Sequence, residues 1–299
     1  MTQPLDPAGV PSTDVSRWAA VVVNYNAGAH LRPCVESVLA DTSAGPVDLV
    51  VVDNGSSDGS LDSISNLPIR IVHSPGNVGY ARAANLGTAV TTAPYVAVLN
   101  PDLVVAFGTA AAACGAFDAR PSLAAVGPRI RTEAGVDYPS ARQLPSLSTS
   151  LGHTLFGVVA PTNRWSRRYR QLDLDPSRPR DADWLSGAAV FLRRDALDAV
   201  GGWDERFFMF MEDVDLCTRL RAAGWSVAYE PAGSVVHVEG VSRRSHPYRT
   251  IAEHHRSVYR FARIHWRGPR RVLLPLVPLV LGLRAVLLMA VGALRSRTG

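Results

Sequence analysis

Three short apolar runs, residues 18–23, 47–52 and 95–99, each stop at a polar cluster. This pattern constrains the fold more than any other feature of the chain. A strand with one wet face alternates apolar and polar side chains, whereas an unbroken run needs cover on both faces. Shorter runs at 69–72 and 123–126 read as further strands, and 31–39, 78–90 and 103–117 read as helices. The β-α-β-α order predicts an α/β fold with an open, mostly parallel sheet and helices on both faces. Ligands of such sheets bind outside the carboxyl ends of the strands. The clusters at 53–59 and 100–102 fall at such ends.

The remainder is less regular. Residues 139–182 contain Pro139, Pro145, Pro161, Pro176 and Pro179 and a basic run, Arg164, Arg167, Arg168 and Arg170. They read as a long excursion over the sheet, with order returning at 184–192. Apolar residues make up 47% and charged residues 19%, which excludes wholesale disorder. Cys34, Cys114 and Cys217 are too scattered for a disulfide framework or a Cys-based zinc site. The opening stretch, 1–16, is polar and Pro-rich and reads as a disordered leader rather than a signal peptide. The net charge of +5 hides an asymmetry: residues 241–299 hold twelve arginines against Glu253 alone. So basic a tail implies an anionic surface as partner.

Four clusters carry candidate chemistry. At 53–60, Asp53 ends a strand and is followed by Gly and Ser residues that let backbone approach a ligand. At 77–87, Asn77 and Gly79 open a small-residue helix whose N-terminus favours an anion, with Arg82 placed to face a diphosphate. At 99–102, Asn100 and Asp102 end a strand where one hard divalent cation and substrate phosphates can share ligands. At 201–220, helical spacing puts Glu212, Asp215 and Arg219 on one charged face. Asp213, Leu216, Cys217 and Leu220 lie on the other, toward the core. Asp213 is then a helix-start carboxylate whose ionised form the helix dipole favours, as a general base requires. Each cluster alone also suits a plainer role: a turn at 53–59, a capped, tightly packed helix at 77–87, a type I turn at 100–102, a capping acid at 213.

In order and spacing, Asn24-Tyr25-Asn26, Val51-Val52-Asp53-Asn54-Gly55-Ser56-Ser57-Asp58-Gly59, Asn77-Val78-Gly79-Tyr80-Ala81, Asn100-Pro101-Asp102 and Glu212-Asp213 resemble the inverting family 2 glycosyltransferases of the GT-A fold. Within the family, the Asn-Pro-Asp form and the Phe-Met-Glu-Asp-Val-Asp-Leu stretch are similar to bacterial rhamnosyltransferases, above all the actinobacterial kind acting on polyprenyl-diphospho-N-acetylglucosamine. The resemblance implies that Asp53 binds the base or ribose of a nucleotide-sugar donor. Asp102 would hold Mg²⁺ or Mn²⁺ on the donor diphosphate, and Asp213 would take the acceptor proton. His237 matches a downstream metal-binding His, although a lone His on a strand also serves structural roles. Trp184 and Gly187, with Glu212, would lie on the acceptor side, unless Trp184 is plain core. Where the family usually has Asp-x-Asp, Asn100 is a neutral and weaker ligand, so metal affinity is expected to lean on the donor diphosphate.

The implied organisation is a catalytic domain at 17–245 and a helical, membrane-associated tail at 246–299. The catalytic domain would divide into a nucleotide-sugar half, 17–127, and an acceptor half, 128–245. The implied reaction is transfer of L-rhamnose from TDP-L-rhamnose to a lipid-linked N-acetylglucosamine in cell-wall polysaccharide synthesis. The alternatives are UDP-galactofuranose or UDP-N-acetylglucosamine as donor, or an inactive nucleotide-sugar-binding subunit, against which Asp53, Asp102 and Asp213 together argue. No nucleic-acid module accompanies the basic tail, so no nucleic acid is expected as partner. Residues 272–294 are almost wholly apolar beside Arg267, Arg270 and Arg271. They are expected to lie in the interface at the cytoplasmic face of the cell membrane, a true span being second because Arg284 falls near the middle.

Overall fold

The computed structural model describes residues 16–144, 162–238 and 247–298, with 149, 152, 156, 157 and 160. Nearly all of the expected leader lies outside them. The central sheet contains β1 (Trp18–Asn24), β2 (Val47–Asp53), β3 (Arg70–His73), β4 (Tyr95–Leu99), β5 (Leu103–Val105), β6 (Leu123–Thr132), β11 (Ala189–Arg193) and β12 (Ser226–His237). Its order is β3-β2-β1-β4-β11-β6-β12-β5. Short strands β7 (Asp137–Tyr138) and β9 (Arg180–Asp181) join β6 and β12, and β8 (Ala141–Arg142) and β10 (Trp184–Leu185) form a separate ribbon.

The apolar runs behave as their lack of alternation requires. Ala20, Val22, Leu49, Val51 and Ala97 face one layer, with α1 (Leu31–Ala40) and α3 (Thr109–Ala119). Val21, Val23, Val50, Val52, Val96 and Val98 face the other. That second layer holds α2 (Tyr80–Ala89), α5 (Arg194–Ala199) and α6 (Glu212–Ala222). Helix α2 lies so close to the sheet that a Cβ on Gly87 would come within 2.3 Å of Val21 Cγ1. The three cysteines are buried and unpaired, and burial pushes the Cys34 and Cys217 thiols up to about 12.

The sheet is mixed rather than mostly parallel. Strands β1 to β4 are parallel neighbours, but β11 runs antiparallel between β4 and β6, and β5 antiparallel beside β12. The parallel expectation holds only where helical crossovers link successive strands. The helix expected over 103–117 is also corrected. Residues 103–105 pair with β12, Gly108 takes φ 94°, and α3 starts at Thr109. The buried Asp41 carboxylate accepts from Gly108 N and Ala110 N at 2.9 and 2.7 Å, supplying the missing cap.

Within the Pro-rich excursion the described residues include β8, β9 and one short helix, α4 (Arg164–Arg170). The tail forms α7 (Pro247–His265), a 3-10 turn at Gly268–Leu273 and α8 (Leu276–Thr298). Helix α7 is part of the packed body, with Ser257 and Ala262 buried. Helix α8 contacts α7 and leaves much of its apolar surface in solvent, with Leu279 69% and Val286 58% exposed; Val272, in the preceding 3-10 turn, is 77% exposed. Arg284 is turned inward, its Nη1 donating to His255 Nε2 at 2.9 Å. Among the described residues no helix is long and apolar enough to cross a membrane.

Candidate functional site

The loops at the carboxyl ends of β1 and β2 are laced by their own polar side chains. Asn24 Nδ2 donates to Ser56 and Ser60 hydroxyls, and Asn26 Oδ1 accepts from Ser57 N. Asp53 is nearly buried; it accepts from Ser56 N at 3.2 Å and lies 3.5 Å from His73 Nδ1. Asn54 is the staple of this rim: its Oδ1 accepts from Val78 N and its Nδ2 donates to Asn77 Oδ1. Asn77 Oδ1 also accepts from Gly79 N, so that oxygen serves the loop itself. Gly79, at φ 90°, lies so close to Phe208 that a Cβ would sit 2.6 Å from its carbonyl oxygen. Tyr80 N donates to that same oxygen, joining α2 to the segment before α6. Arg82 is exposed and lies 3.6 Å from Glu205.

The next rim segment follows β4. Asn100 N donates to Ala188 O, which ties the end of β4 to the loop beside Gly187. The β5–β12 pairing sets His237 opposite Leu103, and Val238 N donates to Asp102 O. His237 Nε2 is consequently 3.2 Å from Asp102 Oδ1, while its Nδ1 is buried without a partner among the described residues. No group of three His, Cys, Asp or Glu side chains able to hold a metal forms among those residues. One carboxylate and one imidazole, with an orphaned ring nitrogen, suit a divalent cation that brings further oxygen ligands with it.

Asp213 is the centre of the third segment. Its Oδ2 accepts from Gly187 N at 2.9 Å and its Oδ1 from Val214 N at 2.8 Å. A Cβ on Gly187 would lie 3.2 Å from Asp213 Cβ. The helix start favours the ionised form, as expected, but burial acts against it. Burial is the largest influence and raises the Asp213 pKa, opposed by the Gly187 and Val214 N–H groups and the Arg142 charge. Glu212 beside it is pushed well above the usual carboxylate range by burial and then by Asp213, and its Oε2 is buried without a partner among the described residues. Burial thus raises both members of the pair, Glu212 the more strongly. Tyr80 closes the cluster: its hydroxyl donates to Gly187 O at 2.8 Å, and burial with the charges of Glu212, Asp213 and Asp102 raises its pKa well above the ordinary value.

The charged face expected for Glu212, Asp215 and Arg219 is largely withdrawn from solvent, and α7 reaches it at Asp215. Asp215 is fully buried, accepts from Arg219 Nε at 2.7 Å and lies 2.6 Å from His265 Nε2. Arg219 continues to Val200 O and Gly202 O. Phe210 and Met211 hold φ of 69° and 67° just before α6, a strained pair in a region non-glycine residues rarely adopt. Ser257 Oγ donates to Met209 O, and His254 packs edge-on to Phe210. Helix α7 thus braces the turn that aims Asp213.

On the far side lies the β8–β10 ribbon, where Trp184 pairs with Arg142. Trp184 is buried, and its indole N–H donates to Gln143 O. The Arg142 guanidinium lies 4.8 Å from the Trp184 ring centre, 5.4 Å from Tyr138 and 5.8 Å from Tyr169. Tyr80, Arg142, Asp215 and His265 were not singled out as site residues from sequence. Tyr80 stands inside a recognised motif, but nothing local marks the other contacts, which join segments far apart in the chain.

One family model, glycosyl transferase family 2, matches residues 19–201, and another, glycosyl transferase family group 2, matches 164–296. The chain is 40% identical over 268 residues to the N-acetylglucosaminyl-diphospho-decaprenol L-rhamnosyltransferase of Mycobacterium tuberculosis, covering 84% of this chain and 87% of that protein. It is 30% identical to the pre-mycofactocin glycosyltransferase of the same organism, over 79% of this chain and 45% of the other. Among solved structures, GalNAc-T7 with UDP, GalNAc and Mn²⁺ superposes with a TM-score of 0.59 at 16% identity, over 84% of this chain; the chain spans half the length of that protein. The Pyrobaculum calidifontis mannosyltransferase with GDP-Man and Mn²⁺ superposes at 0.56 and 16% identity, over 93% of this chain and 75% of that one. These likenesses show a GT-A-like α/β fold.

Proposed function

The chain belongs to glycosyl transferase family 2, and from that premise we propose that it transfers L-rhamnose from TDP-L-rhamnose to a polyprenyl-diphosphate-linked N-acetylglucosamine, with inversion at the anomeric carbon. The rhamnosyltransferase named above supports the choice of donor and acceptor. The observation that carries the chemistry is the half-buried Asp213 carboxylate, held by two backbone N–H groups on the same rim as Asp102 and His237.

In this reading the acceptor hydroxyl gives its proton to Asp213 as its oxygen bonds to the anomeric carbon. The bond from that carbon to the nucleoside diphosphate breaks in the same displacement, so no covalent enzyme intermediate forms. The raised Asp213 pKa makes it a stronger base than an exposed carboxylate. Gly187 and Val214 fix the direction of its oxygens, and Tyr80 holds the Gly187 loop through its carbonyl. Asp53 and the loops stapled by Asn54 bind the nucleoside. A divalent cation, Mg²⁺ or Mn²⁺, would be held by Asp102 and His237 with the donor diphosphate, and would neutralise charge on the leaving group.

The enzyme would work at the cytoplasmic face of the cell membrane, where lipid-linked sugar is presented. The exposed apolar strip of α8 beside Arg267, Arg270 and Arg271 supports a segment lying in an anionic interface. The test is product analysis with a panel of nucleotide sugars and a short polyprenyl-diphosphate N-acetylglucosamine. Rhamnose transfer from TDP-L-rhamnose is expected. Transfer only from UDP-galactofuranose or UDP-N-acetylglucosamine would replace the donor, and binding without transfer from any donor would leave an inactive subunit.

A further inference from the structure

Arg142 feels the Asp213 charge, yet no carboxylate among the described residues lies within ion-pair distance of it. Its Nε donates to Pro139 O at 2.8 Å and its Nη2 to the Tyr138 hydroxyl at 2.9 Å. Tyr138, Tyr169 and Trp184 surround it at the ring distances given above, and none carries charge. No carboxylate among the described residues forms an ion pair with it, although Arg131, Arg167, Arg206 and Arg221 each have one. Arg142 as a whole residue is half-buried. Taking an arginine out of water with no carboxylate at ion-pair distance is costly, and the cost is recovered when an anion enters.

The ribbon that carries Arg142 also reaches the base. Trp184, its partner across the ribbon, is three residues from Gly187, whose N–H holds Asp213. Three residues of extended chain span at most about 10 Å. A pyranose whose hydroxyl faces Asp213 can therefore set the substituent on its anomeric carbon toward Arg142. Helix α4, which supplies Tyr169, continues the positive field outward with Arg168 and Arg170.

We propose that Arg142, boxed by Tyr138, Tyr169 and Trp184, binds the diphosphate that joins the acceptor sugar to its lipid. This rests on the reading of the acceptor as a sugar diphosphate. A forked guanidinium matches phosphate oxygens in a way a single ammonium does not, and the rings exclude water that would weaken the pair. The aromatic box keeps the fork oriented before the ligand arrives, so little side-chain entropy is lost on binding.

The test compares two acceptors with TDP-L-rhamnose as donor: a short polyprenyl-diphosphate N-acetylglucosamine and an uncharged alkyl N-acetylglucosaminide. Arg142→Gln is expected to raise KM for the diphosphate acceptor about tenfold or more, with kcat within about threefold. Its kcat/KM should fall far less on the neutral glycoside than on the diphosphate acceptor, since only the Arg142 influence on Asp213 is lost there, and its Kd for TDP should stay within about twofold of wild type, which also reports that it folds. Arg142→Lys keeps the charge without the fork and is expected to show a smaller KM rise, again on the diphosphate acceptor alone. Equal losses on both acceptors, or a loss confined to kcat, would place Arg142 in support of Asp213 and overturn the proposal. An unchanged KM in both variants would overturn it as well. If wild-type enzyme uses the neutral glycoside as readily as the diphosphate, the acceptor reading itself fails, independently of either variant.

Discussion

Asp213→Asn is the most direct test of the catalytic assignment, and the geometry shows that it is not a silent isostere. Both carboxylate oxygens accept from backbone N–H groups, Oδ2 from Gly187 and Oδ1 from Val214. An amide has one acceptor oxygen, so its NH₂ must face one of two donors. Leaving one buried N–H unpaired costs about 1–3 kcal/mol, offset in part because a buried charge is removed. The fold should therefore survive with a small shift in thermal midpoint. Catalysis should not, because the amide cannot take the acceptor proton. Loss of a general base costs on the order of 10²–10⁴ in rate, or about 3–5 kcal/mol of barrier. The assay pairs turnover with calorimetric donor binding and a melting curve. Expected are a kcat lower by at least two decades, a donor Kd within a few-fold of wild type and a cooperative melt. Turnover within a few-fold of wild type would refute Asp213 as the base and turn attention to Glu212.

Asp102→Ala should remove activity and metal-dependent donor binding together, and chelation should silence the wild type until Mg²⁺ or Mn²⁺ is restored; full activity in excess chelator would sink the assignment of Asp102 and His237. Glu212→Gln should change how stability depends on pH. The folded-state pKa of Glu212 is raised, so the native protein binds the extra proton, and stability falls as pH rises from the ordinary carboxylate range through the raised value, by up to about 1.4 kcal/mol per pH unit. The Gln variant should lose that slope in melting curves taken across neutral pH, and an unchanged slope would show that Glu212 is not the buried proton carrier. For the membrane, Leu279→Asp with Leu283→Asp should abolish sedimentation with anionic vesicles at low salt while donor binding persists, since both side chains point to solvent. Vesicle binding that survives the pair would remove α8 as the contact.

What was legible in the sequence was what local chemistry dictates. A Val-rich run without alternation has to be covered twice, so β1, β2 and β4 and the two helical layers follow from composition alone. Asp53, Asp102 and Asp213 stand in ordered motifs at strand or helix ends, so they too were readable.

The rest depends on contacts between distant segments. Local propensity over 103–117 favours helix, yet residues 103–105 pair with β12, and that pairing is what sets His237 against Asp102. The face of α6 carrying Asp215 reads as solvated until α7 packs over it and brings His265 to its carboxylate. Arg142 meets Trp184 only because two short strands 42 residues apart in sequence form a ribbon. The ionisation of Asp213 and Glu212 belongs to the same class. Helix position alone favours an ionised acid at the start of α6, but desolvation acts through every atom that displaces water, and those atoms come from the whole fold. Sequence determined which groups the site has; tertiary structure decided which of them touch, and which of them hold a proton.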